Sequence, residues 1–147
     1  MGVDQIDGLV KVRMVRQREK LFETPNPLEC DCLITQAALE FQVGGPEVHR
    51  RQLQHLLDLS EHPAVTMRVI PYAKGEEGCQ ISGFRILQFP GDQVPDVAFG
   101  ESVAGSLTMD DPRDLRRLHR LFRGLTDVAL TPVETRDLVA RIKDRED

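Results

Sequence analysis

Val48–Phe89 reads VHRRQLQHLLDLSEHPAVTMRVIPYAKGEEGCQISGFRILQF, and this stretch decides the fold. Val48, Leu53, Leu56, Leu57 and Leu59 recur as the apolar face of an amphipathic helix. That helix breaks at Ser60-Glu61-His62-Pro63, where Pro63 cannot continue it. Val65, Met67, Val69 and Pro71 then alternate with Thr66, Arg68 and Ile70, and the β-branched residues among them favour a half-buried strand. A polar loop at Lys74–Gly78 leads to a second strand over Gly83–Phe89. A helix, a strand, a loop and a strand in succession describe a sheet with helices laid against it.

Working outward, residues 3–22 carry an imperfect apolar stripe of Ile6, Leu9, Val10, Met14, Leu21 and Phe22, which predicts a helix. Gly8 weakens that helix by roughly 1 kcal/mol relative to alanine. Thr24-Pro25-Asn26-Pro27 is a rigid break, because the residue before each proline is pushed out of the helical region. Leu28–Thr35 reads as a strand, Gln36–Phe41 as a short helical turn, and Val43-Gly44-Gly45-Pro46 as a turn whose proline opens the next helix. Beyond the central stretch, Asp96–Glu101 is a further strand that Ser102–Met109 extends the sheet from. Asp110-Asp111-Pro112 announces a helix with an acidic cap and proline in its first turn. Thr131-Pro132-Val133-Glu134 announces another with capping-box spacing. There are no internal repeats. The expected architecture is a single α+β domain over residues 1–147, with a small, mostly antiparallel sheet covered by helices.

The length suits one domain with one sizeable core. Asp and Glu number 24 against 19 Lys and Arg, so no whole-molecule field draws the chain to nucleic acid or to an anionic membrane. Six Phe, one Tyr and no Trp fit an aliphatic core rather than a stacking platform. No apolar run reaches the roughly 20 residues of a membrane span and no signal peptide opens the chain, so a cytoplasmic protein without membrane contact is expected. Three cysteines, an odd number without repeated spacing, speak against a disulfide framework.

Cys30-Asp31-Cys32 puts two sulfurs on one face of a strand, but a tetrahedral metal site needs more ligands than this pair supplies, so buried structural thiols and no metal are expected. Cys79 stands beside two glutamates, which disfavour a thiolate. His49, His55, His62 and His119 lack a zinc-binding spacing and read as helix-surface residues, and no serine sits in a nucleophile elbow. Gly44-Gly45 before a helix is a weak anion signal without the Lys-Ser/Thr of a phosphate loop. Arg113, Arg116, Arg117, Arg120 and Arg123 share one helix face. That face is either a phosphate- or partner-contacting surface or a solvated one paired with Asp110, Asp114 and Asp127; the acidic chain favours the second. Arg13, Arg16 and Gln17 lie on one side of the first helix, and Glu101 ends an otherwise apolar strand. They meet at the rim of a cleft if that helix crosses the sheet, and form structural ion pairs otherwise.

At these residues the chain resembles the C-terminal effector-like domain of actinobacterial Xre-type helix-turn-helix regulators, an antitoxin-like family. Arg13-Met-Val-Arg16-Gln17 matches its R-x-x-R-Q, Gln36-Ala-Ala-Leu39 with Val43-Gly44-Gly45 its E-A-A-L and v-G-G, and Val65–Pro71 its v-T-v-R-V-l-P. Gln52-Leu53 with Leu56-Leu57, Gly83-Phe84, Glu101 and Ala129–Glu134 fit in the same order. Gln36 departs from the family's acidic residue, and the family's helix-turn-helix domain, which normally precedes this one, is absent from these residues.

The resemblance implies a regulatory or sensor domain that binds a small effector or a small partner protein, uses no cofactor, reaches DNA only through the absent domain, and forms a homodimer if it reads palindromes. The expected ligand site lies between sheet and first helix, with Arg13, Arg16, Gln17 and Glu101 as polar anchors and Tyr72, Phe84 and Phe99 as apolar wall. The alternative is a stand-alone cofactor-free cyclase or isomerase with Glu101 as general acid or base and Arg16 stabilising negative charge. A third reading is direct DNA binding through the arginine face, which would be steeply salt-dependent.

Overall fold

The structure, a computed structural model, describes residues 3–78, 83–91, 93–102 and 105–145; Cys79 lies outside them. The elements follow in the order α1 (Val3–Gln17), β1 (Cys30–Thr35), α2 (Gln36–Glu40), α3 (Pro46–Leu59), β2 (Val65–Ile70), α4 (Gly75–Gly78), β3 (Phe84–Leu87), β4 (Val97–Ser102), β5 (Gly105–Met109), α5 (Pro112–Val128) and α6 (Pro132–Asp144). A π-helical turn at Arg18–Phe22 continues α1, and a 3-10 turn at Tyr72–Lys74 precedes α4. The fold is α+β, and its strands divide between two sheets. β1 and β2 pair in parallel, Cys30 opposite Val65 and Thr35 opposite Ile70. β3, β4 and β5 form an antiparallel meander.

The parallel pair has a direct cause in the chain. A hairpin turn can only reverse a strand, and α2 and α3 between Thr35 and Val65 supply the crossover that parallel pairing needs. Its corner is Gly44-Gly45, both at positive φ (85° and 88°), and a Cβ on Gly44 would stand 3.0 Å from Val48 Cγ1. Glycine is the residue that adopts this backbone without a steric penalty.

The core lies where α3 and α6 pack together on the parallel pair. Leu39, Leu53, Val69, Leu138, Val139 and Ile142 are buried in one cluster, with Ile34, Leu56, Leu57 and Leu130 against it. Two polar groups inside it are bonded, as burial demands. His49 donates from Nε2 to the Leu39 carbonyl (2.8 Å), which fastens α3 to α2. Thr135 Oγ1 accepts from the Val69 amide (3.0 Å), and the Leu130 amide donates to the Val69 carbonyl (2.8 Å). The start of α6 thus satisfies the side of β2 that β1 does not reach. Both late helices begin as their caps specify. Asp111 accepts from the Arg113 amide (2.7 Å) at α5, and Thr131 with Glu134 closes a full capping box at α6.

The first helix is differently held. Its Gln17 amide donates to His55 Nε2 of α3 (3.3 Å), and Phe22 meets His62 edge to face at 5.6 Å. Both contacts sit at the C-terminal end, and Ile6, Leu9, Val10, Val12 and Met14 ahead of them are exposed. No helix among the described residues is long and apolar enough to cross a membrane.

Candidate functional site

The carboxyl ends of parallel strands are where open α/β arrangements place ligands, because the loops there diverge and leave a crevice. Here that end carries a three-residue polar clasp. β1 stops at Thr35, whose hydroxyl caps α2 by accepting from the Ala38 amide (3.4 Å). The next residue, Gln36, donates to Glu40 Oε1 (2.9 Å) one turn on. From β2, the Tyr72 amide donates to Gln36 Oε1 (3.0 Å) and the Tyr72 hydroxyl to Glu40 Oε2 (3.1 Å). Desolvation, then the hydrogen bond to Glu40 and its charge, raise the Tyr72 pKa, which keeps the phenol a donor. Phe41 and Val43 are exposed immediately after the clasp. Tyr72 was expected on an apolar wall; the structure makes it the polar link between the two strands. The i,i+4 spacing of Gln36 and Glu40 was legible as a helical pair, but the third member needed the parallel register.

The remaining expected anchors do not converge on one cleft. In the meander, Phe84 lies opposite Gly100, Arg85 opposite Phe99 and Ile86 opposite Ala98. Directly opposed residues share a face and neighbours along a strand do not, so Phe84 and Phe99 point to opposite sides. Phe84 shares its side with the buried Ala98, whereas Phe99 shares its side with Arg85, Glu101 and Thr108. Glu101 is ion-paired with Arg85, and both side chains are more than half exposed. Gln17 is engaged with α3. Arg16 borders an open recess lined by Lys11, Val12, Val15, Glu19 and Lys20, all from α1 and the turn that follows it. At 100° per residue this lining centres nearly opposite Gln17, so the recess faces away from α3 and has no second wall. Arg13 is exposed on the same helix.

Cys30 and Cys32 stand on one face of β1 as expected, both free and partly buried. Burial raises both thiol pKa values, and for Cys32 the neighbouring Cys30 and Asp31 add to it. Among the described residues no three His, Cys, Asp or Glu side chains gather as a metal site. His119, read as a surface residue, donates to Asp96 Oδ2 (3.0 Å) and ties α5 to the start of β4. The buried His49 also departs from the surface reading.

The arginine face of α5 departs from the favoured expectation. Arg113, Arg116, Arg117, Arg120 and Arg123 are all exposed, and among the described residues none of their guanidinium groups makes an ion pair with Asp110, Asp114, Asp127 or any other carboxylate. Asp110 precedes the helix, and although Asp114 and Asp127 stand three and four residues from Arg117 and Arg123, neither carboxylate comes within ion-pair distance of an arginine among the described residues.

Comparison with known proteins adds one finding. No curated protein and no solved structure matches the chain. The family described as "Domain of unknown function (DUF5753)" matches residues 2–141, which takes in every element from α1 to the last turns of α6. The chain belongs to that family.

Proposed function

We propose that this domain is a non-catalytic regulatory module that works by docking another protein, in keeping with the resemblance to the effector-like domain of actinobacterial Xre-type regulators and with a cytoplasmic setting. One observation carries the reading. Ile6, Val10 and Met14 of α1, at i, i+4 and i+8 on one side of the helix, are 45%, 50% and 57% exposed, on a helix whose described anchors lie only at its C-terminal end. Contiguous exposed apolar surface costs solubility and marks interaction sites in folded proteins. The docked protein is a separate partner or a second copy of the chain.

A small effector is the second reading, favoured by the Gln36–Glu40–Tyr72 clasp at the carboxyl ends of the parallel strands beside exposed Phe41. The cyclase or isomerase alternative asks for an enclosed carboxylate, and its candidate, Glu101, sits on an exposed sheet face in an ion pair with Arg85.

Native mass spectrometry of the protein purified from its own host, beside a denatured control, tests the reading. The expected result is a protein assembly that Val10→Glu dissolves while the circular dichroism spectrum is unchanged. A monomer carrying a small molecule that is lost on Tyr72→Phe would overturn docking in favour of the effector. Turnover of that molecule would overturn the non-catalytic reading altogether.

A further inference from the structure

We infer that the outer face of α5 is a binding surface for the phosphodiester backbone of a nucleic acid. The inference stands apart from docking through α1, since it rests on a different helix and a different chemistry.

Five arginines at i, i+3, i+4, i+7 and i+10 fall within an arc of about 120° at 100° per residue. The buried face of α5, with Leu115 and Leu125, lies on the opposite side. All five side chains therefore point to water, and the exposure of each agrees. Their rise along the axis is about 15 Å from Arg113 to Arg123.

Three features separate this surface from an ordinary solvated face. The first is the gathering of unpartnered cations on one face. Arg18, Arg68, Arg85 and Arg136 elsewhere in the chain each hold a carboxylate, of Glu23, Asp31, Glu101 and Glu61 respectively. Arg13, Arg16, Arg51, Arg141 and Arg145 hold none among the described residues, but they are scattered over α1, α3 and the end of α6. The five on α5 hold none among the described residues, in a chain with more acidic than basic side chains. The second is residue type: α5 has no lysine, and the planar guanidinium is the group that engages phosphate oxygens in pairs. The third is what lies between the arginines. Within their arc the helix offers only Gly124 and Asp127, with no apolar side chain. A protein partner needs a desolvated apolar centre with charges at the rim. A polyanion needs only regularly spaced cations, so the nucleic-acid backbone is the better fit. The net charge of −5 does not forbid this, because charges beyond a Debye length of about 8 Å are largely screened at physiological salt.

The test is fluorescence anisotropy of the whole chain with a labelled duplex DNA of arbitrary sequence, repeated with single-stranded RNA, across a salt series. Five phosphate contacts predict a slope of log K against log salt of about −4.5 for the duplex, or roughly 500-fold weaker binding at 200 mM than at 50 mM salt. Single-stranded RNA should show a shallower slope, near −3.5. The double variant Arg116→Gln/Arg120→Gln should reduce the duplex slope by about 2 and weaken binding equally for all sequences, with thermal unfolding unchanged because neither side chain has a partner among the described residues. Three results would overturn the inference: no binding to either nucleic acid at low salt, a slope that the double variant leaves intact, or binding to polyglutamate that exceeds binding to DNA. The last would identify an acidic protein as the occupant.

Discussion

Thr135→Val is the sharpest probe of how this fold is held. Thr135 is fully buried, and its hydroxyl accepts the Val69 amide of β2 at 3.0 Å. Valine has nearly the same shape, so packing against Val139 and Leu138 is kept while the acceptor vanishes. The Val69 amide has β1 on its other side and cannot turn to water, so it becomes a buried donor without a partner. That costs about 1–3 kcal/mol. For a domain of this size the fall in Tm is roughly 3–4 °C per kcal/mol, so ~3–12 °C in all. Equilibrium urea denaturation should show a lower midpoint with an unchanged m value, since the surface exposed on unfolding is the same. Hydrogen exchange at Val69 should accelerate. Thr135→Ser keeps the hydroxyl and loses one methyl, about 1 kcal/mol, with Val69 still protected. An unchanged midpoint for Thr135→Val, with Val69 as slow to exchange as before, would refute the view that α6 completes the open side of β2.

Two further outcomes follow from the same structure. Leu53→Ala, at a side chain 1% exposed between α3 and α6, should destabilise by about 2–5 kcal/mol through lost burial and a cavity, read from the urea midpoint. The capping box sets a pH dependence: the Thr131 hydroxyl and amide hold the Glu134 carboxyl below its ordinary pKa. A carboxyl depressed in the folded state contributes stability that is present above its unfolded pKa, near 4.3, and lost as pH falls through the lower folded value. Acid titration of Glu134→Gln, followed by circular dichroism, should therefore show a shallower loss of stability below that point than the unsubstituted chain.

Much of the fold was legible because local chemistry acts locally. Asp111-Pro112 and Thr131-Pro132 with Glu134 start α5 and α6 where they stand, and Pro46 after Gly44-Gly45 starts α3. β-branched alternation placed β2, and Leu28–Thr35 contained β1. Two short segments read differently. Gly75–Gly78 forms a turn of helix where a polar loop was expected, and Arg18–Phe22 widens into a π-helical turn at the end of α1. Both lie beside glycine or proline breaks, where single-residue propensities are weakest and the chain's path is decided by what it must reach.

The candidate site was legible only in part. Tyr72 was singled out, but as an apolar wall; its bonds to Gln36 and Glu40 exist because β1 and β2 run parallel and end together. Phe84 and Phe99 looked like neighbours in one wall, yet the register of β3 on β4 sends them to opposite faces. The arginines of α5 were placed on one face from spacing alone, whereas their lack of carboxylate partners among the described residues is a fact of side-chain distances. The sequence by itself determined where helices and strands begin, which faces are apolar and that the class is α+β, since these depend on periodicity and caps within a few residues. The tertiary structure decided which strands pair, which face each side chain joins and which charges are left unpartnered among the described residues, because those depend on strand register and on contacts beyond one turn of chain, from Phe84 opposite Gly100 to Gln36 with Tyr72 and Val69 with Thr135.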